Sequence, residues 1–462
     1  MRLAAKLIGS ARRSGLAKAD LVSRMKRVVA DPAHHLNDPY FSSLVEPLLE
    51  HQGNPSRRSF KVGMGPREKP VDWRQWGQDL DRAAVEQMRV ACHLPVAVGG
   101  ALMPDAHVGY GLPIGGVLAT KNAVIPYAVG VDIACRMKLT VLDLPVQTLR
   151  SHTHRLIRAI ETETRFGIGA AFGKLNQQGK HRDHPVMDAD WCVTPVTGKL
   201  KDKAHAQLGT SGSGNHFVEF GLLTLDHDEF GLEAGTYLAL LSHSGSRGVG
   251  AAVCRHYCHL AMDQASPNMP KMYRHLAWLD LDQEGGQEYW VAMHLMGRYA
   301  EANHALIHHH IARHLGAQVL LDVENHHNFA WRQQYGGQTV IVHRKGATPA
   351  QAGALGVIPG SMASPAYVVR GLGSAESFDS ASHGAGRIMS RRKARRTLQW
   401  AQVHSLLEQR DVRLLSAGLD EVPFVYKDID TVMAQQMDLV EKVARFDPKL
   451  VKMAPPGERP ED

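Results

Sequence analysis

The chain has 462 residues, 44% of them apolar and 21% charged, with a formal net charge of +7; this is ordinary globular composition at a length that suits one large domain or two fused ones. No apolar run approaches the roughly 18 to 20 residues of a membrane helix, since residues 94–104 are short and glycine-rich. Five irregularly spaced cysteines (Cys92, Cys135, Cys192, Cys254, Cys258) exclude a disulfide framework and point to a reducing compartment, taken as the cytoplasm.

The charge is uneven. Residues 1–30 hold eight Lys/Arg against Asp20 alone, which leaves the remainder formally neutral. Such a start is compatible with contacts to nucleic-acid phosphates, with a transit peptide and with a solvated amphipathic helix, and the helix weighs most. Residues 31–71 are rich in Pro, His, Asn and Gly without a sustained period, which sets a boundary near residue 70.

Beyond it, Trp76, Leu80, Ala83 and Ala84 predict a helix over 73–88, followed by a buried strand over 96–103 and glycine-punctuated segments to Leu142. Helices are predicted over 145–160, 250–263, 287–314 and 428–445, and strands over 216–223, 237–242, 319–323 and 339–343. Helix and strand mix without regular alternation, so the expected class is α+β. The organisation is then a basic N-terminal helix and irregular segment (1–70), a main α+β domain (71–453) and a polar tail (454–462).

With 27 histidines in the chain, metal or phosphoryl chemistry is worth a search. Four segments set a metal-type ligand among small residues: Asp132 and Cys135 after Gly130, Asn215 and His216 after Gly212, His243 before Gly245 and Arg247, and His327 before Asn328. Taken singly, each side chain is an ordinary core or loop residue. Together, a carboxylate, a thiolate and three imidazoles suit borderline divalent ions, and a bridging thiolate could hold two of them for displacement at phosphorus.

The glycine loops 209–214, 244–248 and 383–387 expose N–H groups that cradle anions, and Arg247 and Arg387 lie within two of them. His383 precedes a small-residue loop and a run of cations (Arg387, Arg391, Arg392, Lys393, Arg395, Arg396), surroundings that suit an imidazole attacking an α-phosphate. Other histidines are set aside. His304 and His308 lack the zincin glutamate, the 308–310 run is expected to be surface decoration, and Cys254, His256, Cys258 and His259 read as helix packing.

These segments, with Met103-Pro-Asp-Ala-His107, Gly111-Leu-Pro-Ile-Gly-Gly116, His343-Arg-Lys-Gly-Ala-Thr348 and Pro359-Gly-Ser-Met362, resemble the RtcB family of RNA ligases over roughly residues 103–452. The resemblance implies an RtcB-like α+β fold with a sheet-lined central cleft and a binuclear metal site. In it Cys135 bridges two manganese ions, His243 and His327 complete one site, and Asp132 and His216 complete the other.

It further implies that His383 takes GMP from GTP and passes it to an RNA 3′-phosphate, after which a 5′-hydroxyl displaces GMP. A 2′,3′-cyclic phosphate end is opened first. Asn215 is then a phosphate contact, Glu219, Ser361 and Lys452 are guanine contacts, Gly384, Ala385, Gly386 and Arg387 form the nucleotide loop, and Arg247, Arg387 and Arg391 hold RNA phosphates. Expected partners are RNA with broken ends and an activating helper protein, in tRNA splicing or RNA repair.

Two readings stand beside ligation: a binuclear-metal cyclic phosphodiesterase and an inactive sensor of RNA ends. The chain also departs from the family pattern. Arg136 follows the cysteine and is expected to alter substrate preference, and Ala366 stands where a hydroxyl is common, which is expected to loosen selectivity for GTP.

Overall fold

A computed structural model describes residues 18–31, 35, 65–172, 182–265 and 269–458. The chain divides into two units, Met1–Lys61 and Val62–Asp462. In the first, the helix Lys18–Ala30 carries Leu21 and Val28 buried, with Val22 and Val29 exposed. Residues 2–17, which hold half of the predicted basic start, lie outside the described residues.

The second unit is built on two sheets. One places Trp73–Gln75, Ala97–His107, Ile114–Thr120, Gln338–Lys345 and Asn328–Tyr335 side by side in that order. The other runs Leu355–Pro359, Ala366–Gly371, Val440–Met453, Phe217–Leu225, Gly235–Ser244, Arg136–Leu142 and Val319–His326, with Arg413–Ser416 paired to Val440–Met453.

The second sheet curls until its ends meet. The Asn325 side chain accepts from the Val357 N–H at 2.8 Å, and so ties the last strand to the first. Alternation along each strand then sends one set of side chains into the curl and the other outward. Met137, Leu139, Val141, Leu223, Ala239, Leu241 and Phe446 pack inside. Val218, Phe220, Leu238 and Leu240 face outward onto Ile307 and Ile311 of the helix Glu284–Leu315. Both faces of the sheet are therefore covered.

Two predicted helices are corrected. Residues 73–75 form a strand paired in parallel with Gly100–Leu102, and the helix starts only at Arg82, where the Asp81 side chain accepts from Ala83 N at 2.8 Å. Gly77, with φ +87°, breaks the pattern between them. Residues 428–445 hold only a short helix, Ile429–Ala434, before the strand Val440–Met453, whose pairing with three neighbours overrides local helical spacing. The helix predicted over 145–160 is split at His152 into Thr148–Ser151 and Thr153–Glu163. The remaining predicted strands and helices stand with ends moved by a few residues.

Among the described residues, no helix is long and apolar enough to cross a membrane.

Candidate metal and nucleotide site

The five residues singled out as metal ligands meet at one point. Asp132 and Cys135 sit in a turn before the strand Arg136–Leu142, and that turn is tied to the link at His327, between the strands Val319–His326 and Asn328–Tyr335, by bonds from Ala134 N to Asn328 O (2.7 Å) and from His327 N to Cys135 O (3.0 Å). His216 immediately precedes the strand Phe217–Leu225 and His243 nears the end of the next, where Phe217 and His243 are register partners.

Cys135 Sγ lies 3.1 Å from His243 Nε2 and 3.5 Å from His216 Nε2. His243 Nε2 lies 3.2 Å from His327 Nε2, and His216 Nε2 lies 3.1 Å from Asp132 Oδ2. Such separations match ligands sharing an ion with bonds of about 2.0 to 2.3 Å.

All five are buried. Burial, then the neighbouring His216, lowers the His243 imidazole to about 3, and burial with His383 and His243 nearby holds His327 well below its ordinary value. Both rings are therefore neutral lone-pair donors near pH 7. For Asp132 burial opposes ionisation, but the bond to His216 and its charge outweigh it, so the carboxyl is held below its ordinary range.

The His243 Nδ1–H donates to the Asn215 carbonyl at 3.1 Å, which turns Nε2 toward the cluster, as an outer partner does for a ligating histidine. Buried donor atoms converging on one point fit a divalent metal, and the groups Cys135, His216 and His243 form a metal-capable set by their mutual distances.

His383 adjoins this set, its ring 5.0 Å from that of His327. Its Nδ1–H donates to Asp105 Oδ2 at 2.7 Å. Asp105 is fully buried in the strand Ala97–His107, and Lys427 Nζ bonds the flanking carbonyls of Pro104 (2.8 Å) and Ala106 (3.2 Å). The pairing leaves His383 Nε2 as the nitrogen with an available lone pair.

Asp105 lies in the segment Met103–His107, whose sequence assigns the acid no role by itself. The signal was an acid inside an otherwise apolar buried run. Only glycine fits at 386, where φ is +73° and a Cβ would meet the Asp105 carbonyl oxygen at 2.0 Å.

The metal-type ligands and His383 open on one cleft of about 1140 Å³, lined also by Asn215, Glu219, Ser361, Ala366, Gly384, Ala385, Gly386, Arg387 and Arg391. Burial pushes the Glu219 carboxyl well above its ordinary value. Arg387 Nη1 bonds Glu421 at 2.9 Å and Nη2 bonds the Asp420 carbonyl at 2.8 Å, while Arg391 pairs with Glu421. Two of the three arginines expected on RNA phosphates are thus held in place by carboxylates.

Several expectations are corrected. Val451 and Met453 line the cleft, but Lys452 between them faces the other side of the strand, where Nζ meets Glu161 at 3.2 Å and the Phe166 ring at 5.6 Å. Arg247 is 1% exposed and bonds Thr210 Oγ1 at 2.9 Å, so it braces the loop before His216 from inside and does not lie on the cleft wall.

Arg136 also points away from the ligands. Strand alternation turns it outward to Glu324 (3.1 Å) and the Gly297 carbonyl (3.4 Å), which removes the ground for altered substrate preference. A helix begins at Arg247 itself, and after Gly386 the next starts only at Arg391.

His308 is no decoration. It is buried, and Ser242 Oγ sits 2.8 Å from both His308 Nε2 and His304 Nδ1. Cys254 and Cys258 pack within the helix Arg247–Gln264, their sulfurs 3.6 Å apart, while His256 and His259 are exposed.

A family model described as tRNA-splicing ligase RtcB matches residues 87–453. The chain is 35% identical to RNA-splicing ligase RtcB of Escherichia coli (strain K12) over 365 residues, covering 74% of this chain and 87% of that protein. It is 31% identical to tRNA-splicing ligase RtcB of Archaeoglobus fulgidus over 464 residues, covering 85% and 95%. With tRNA-splicing ligase RtcB of Thermococcus kodakarensis the identity is 30% over 439 residues, covering 80% and 90%.

Proposed function

Because the chain belongs to the RtcB family, we propose that it is an RNA ligase joining RNA 3′-phosphate or 2′,3′-cyclic phosphate ends to 5′-hydroxyl ends, with GTP as the activating nucleotide. The phosphodiesterase and sensor readings are not favoured, since the relatives above are named as splicing ligases. Residues 71–453 would be the catalytic part, preceded by the 1–70 segment and followed by the 454–462 tail. Five free cysteines accord with a reducing cytoplasm.

Asp132, Cys135, His216, His243 and His327 would hold two manganese ions, Cys135 shared between them. Such ions supply Lewis-acid stabilisation of phosphate oxygens. The protein's own groups supply the rest. Asp105 keeps the Nδ1 proton of His383 in place, so that Nε2 attacks the α-phosphorus of GTP and pyrophosphate leaves. GMP then passes from His383 to the RNA 3′-phosphate, and the 5′-hydroxyl oxygen forms the new phosphodiester as GMP departs.

Glu219 and Ser361 would read guanine, Asn215 and the 384–387 loop would hold the phosphates, and Arg387 and Arg391 would meet the RNA backbone. Loss of the hydroxyl at Ala366 would loosen the guanine grip, and a helper protein would act on the first step.

The observation that carries this reading is the His383 to Asp105 pair placed 5.0 Å, ring to ring, from the buried His327. The test is a covalent protein–GMP adduct formed with GTP and manganese, acid-labile as a phosphoramidate is. Its absence from the parent protein, or its persistence in His383→Ala, overturns the reading.

A further inference from the structure

The loop between the strands Ala97–His107 and Ile114–Thr120 is tied down in three places. Gln87 bonds Gly109 twice, Nε2 donating to its carbonyl at 2.6 Å and Oε1 accepting from its N–H at 3.0 Å. Lys345 Nζ donates to the Tyr110 carbonyl at 2.6 Å. Gly111 has φ +73°, and a Cβ there would stand 2.4 Å from the His275 carbonyl oxygen, so the loop lies flush on that residue. The second tie leads toward the chemistry, because Gly346 follows Lys345 and a Cβ on it would lie 3.1 Å from His383 Cε1.

On this held loop the Tyr110 side chain is 61% exposed and lines the cleft. Its ring is nevertheless supported. The His275 ring stands 5.9 Å away, edge-on at 88°, the Tyr127 ring stands 6.3 Å away, and those two rings are 5.0 Å apart. A tyrosine that merely decorates a surface needs no such frame, and a large ring left in water forgoes the gain from burial.

A rigid aromatic face beside cations is the arrangement by which proteins hold single-stranded nucleic acid, the bases stacking while the cations track phosphates. Lys345, Arg387, Lys393 and Lys427 line the same cleft. We propose that Tyr110, propped by Tyr127 and His275, is a base-stacking platform that holds the terminal nucleobase of an RNA end at the cleft mouth. The proposal rests on the RNA-ligase reading and adds to it a residue that fixes the end nucleotide. Stacking accepts any base, so this platform sets the position of the end and not its sequence.

The test uses the full chain and an RNA carrying 2-aminopurine at its end. Binding should quench the fluorophore in the parent and in Tyr110→Trp. In Tyr110→Ala the Kd and the KM for that RNA should both rise on the order of tenfold or more, as expected for a lost stacking partner. An abasic end should weaken binding to the parent by the same factor and add nothing in Tyr110→Ala, the signature of a direct ring-to-base contact.

Equal quenching and equal Kd in the parent and Tyr110→Ala overturn the proposal. So does a loss in Tyr110→Ala that is the same for normal and abasic ends, which would place a different partner, such as a protein, on the ring. If the parent forms no GMP adduct, the ligase reading falls, while the quench titration still decides whether the ring stacks on RNA.

Discussion

Asp105 and His383 are 278 residues apart in sequence and 2.7 Å apart in space, joined by a bond from the imidazole Nδ1 to a carboxylate that no solvent reaches. The pairing selects one tautomer of His383 and so decides which ring nitrogen keeps a free lone pair.

Asp105→Ala should therefore slow formation of the GMP adduct by roughly ten- to a hundredfold, the range typical of groups that orient a working histidine. Asp105→Asn keeps an acceptor oxygen at the same place and should lose less. Single-turnover adduct formation measures both, and an unchanged rate in the alanine variant would remove Asp105 from the mechanism.

Burial opposes ionisation of Asp105, but the charge and hydrogen bond of His383, then Lys427, outweigh it and hold the carboxyl below its ordinary range. A depressed folded-state pKa contributes stability that is present above the unfolded value near 3.9 and is lost as pH falls through the folded one. Urea midpoints should accordingly drop for the parent as pH falls below about 4, and drop less steeply in Asp105→Asn.

Metal binding should depend on the Cys135 thiol. Cobalt loaded into the parent should give a thiolate-to-metal absorption band, and Cys135→Ala should abolish the band and weaken metal affinity by about a hundredfold or more. A band that survives would place the ion on other ligands.

Burial raises the Glu219 carboxyl, so its ionisation costs the folded state nothing below its unfolded pKa and destabilises it as pH rises toward the folded value. Glu219→Gln should be the more stable protein at pH 8 without nucleotide. If Glu219 reads guanine as proposed, the same change removes one carboxylate acceptor, so the preference for GTP over ATP in adduct formation should fall on the order of tenfold. An unchanged preference would place guanine recognition elsewhere.

Arg136 stands next to Cys135 but belongs to the outer face of the sheet, paired with Glu324. Arg136→Met should lower stability by about 2 kcal/mol, less than for a fully buried pair because Glu324 is partly exposed. The KM for RNA ends should not move. A stability loss in thermal melts with an altered KM would return Arg136 to the substrate.

Much of the site was legible in the sequence because its chemistry needs particular elements. A thiol, a carboxylate and three imidazoles, each beside small residues, together suit a metal cluster, and His383 ahead of a glycine loop and a run of cations suits phosphoryl transfer. The strands and helices with strong periodicity were legible for the same local reason. Residues 73–75 and 440–445 were not, because strand pairing with distant segments outweighs their helical spacing.

Amino-acid order alone therefore determined which reactive groups the chain carries, the α+β class and the resemblance on which the function rests. Tertiary structure decided which side of a strand each group faces and which distant partner it meets. A register irregularity between Pro448 and Leu450 precedes the turn of Lys452 away from the cleft, strand alternation sends Arg136 outward, and the fold delivers a buried acid to His383. Side-chain direction and pairing across long sequence separation depend on register and on what packs against each face, and neither is encoded in any local window of residues.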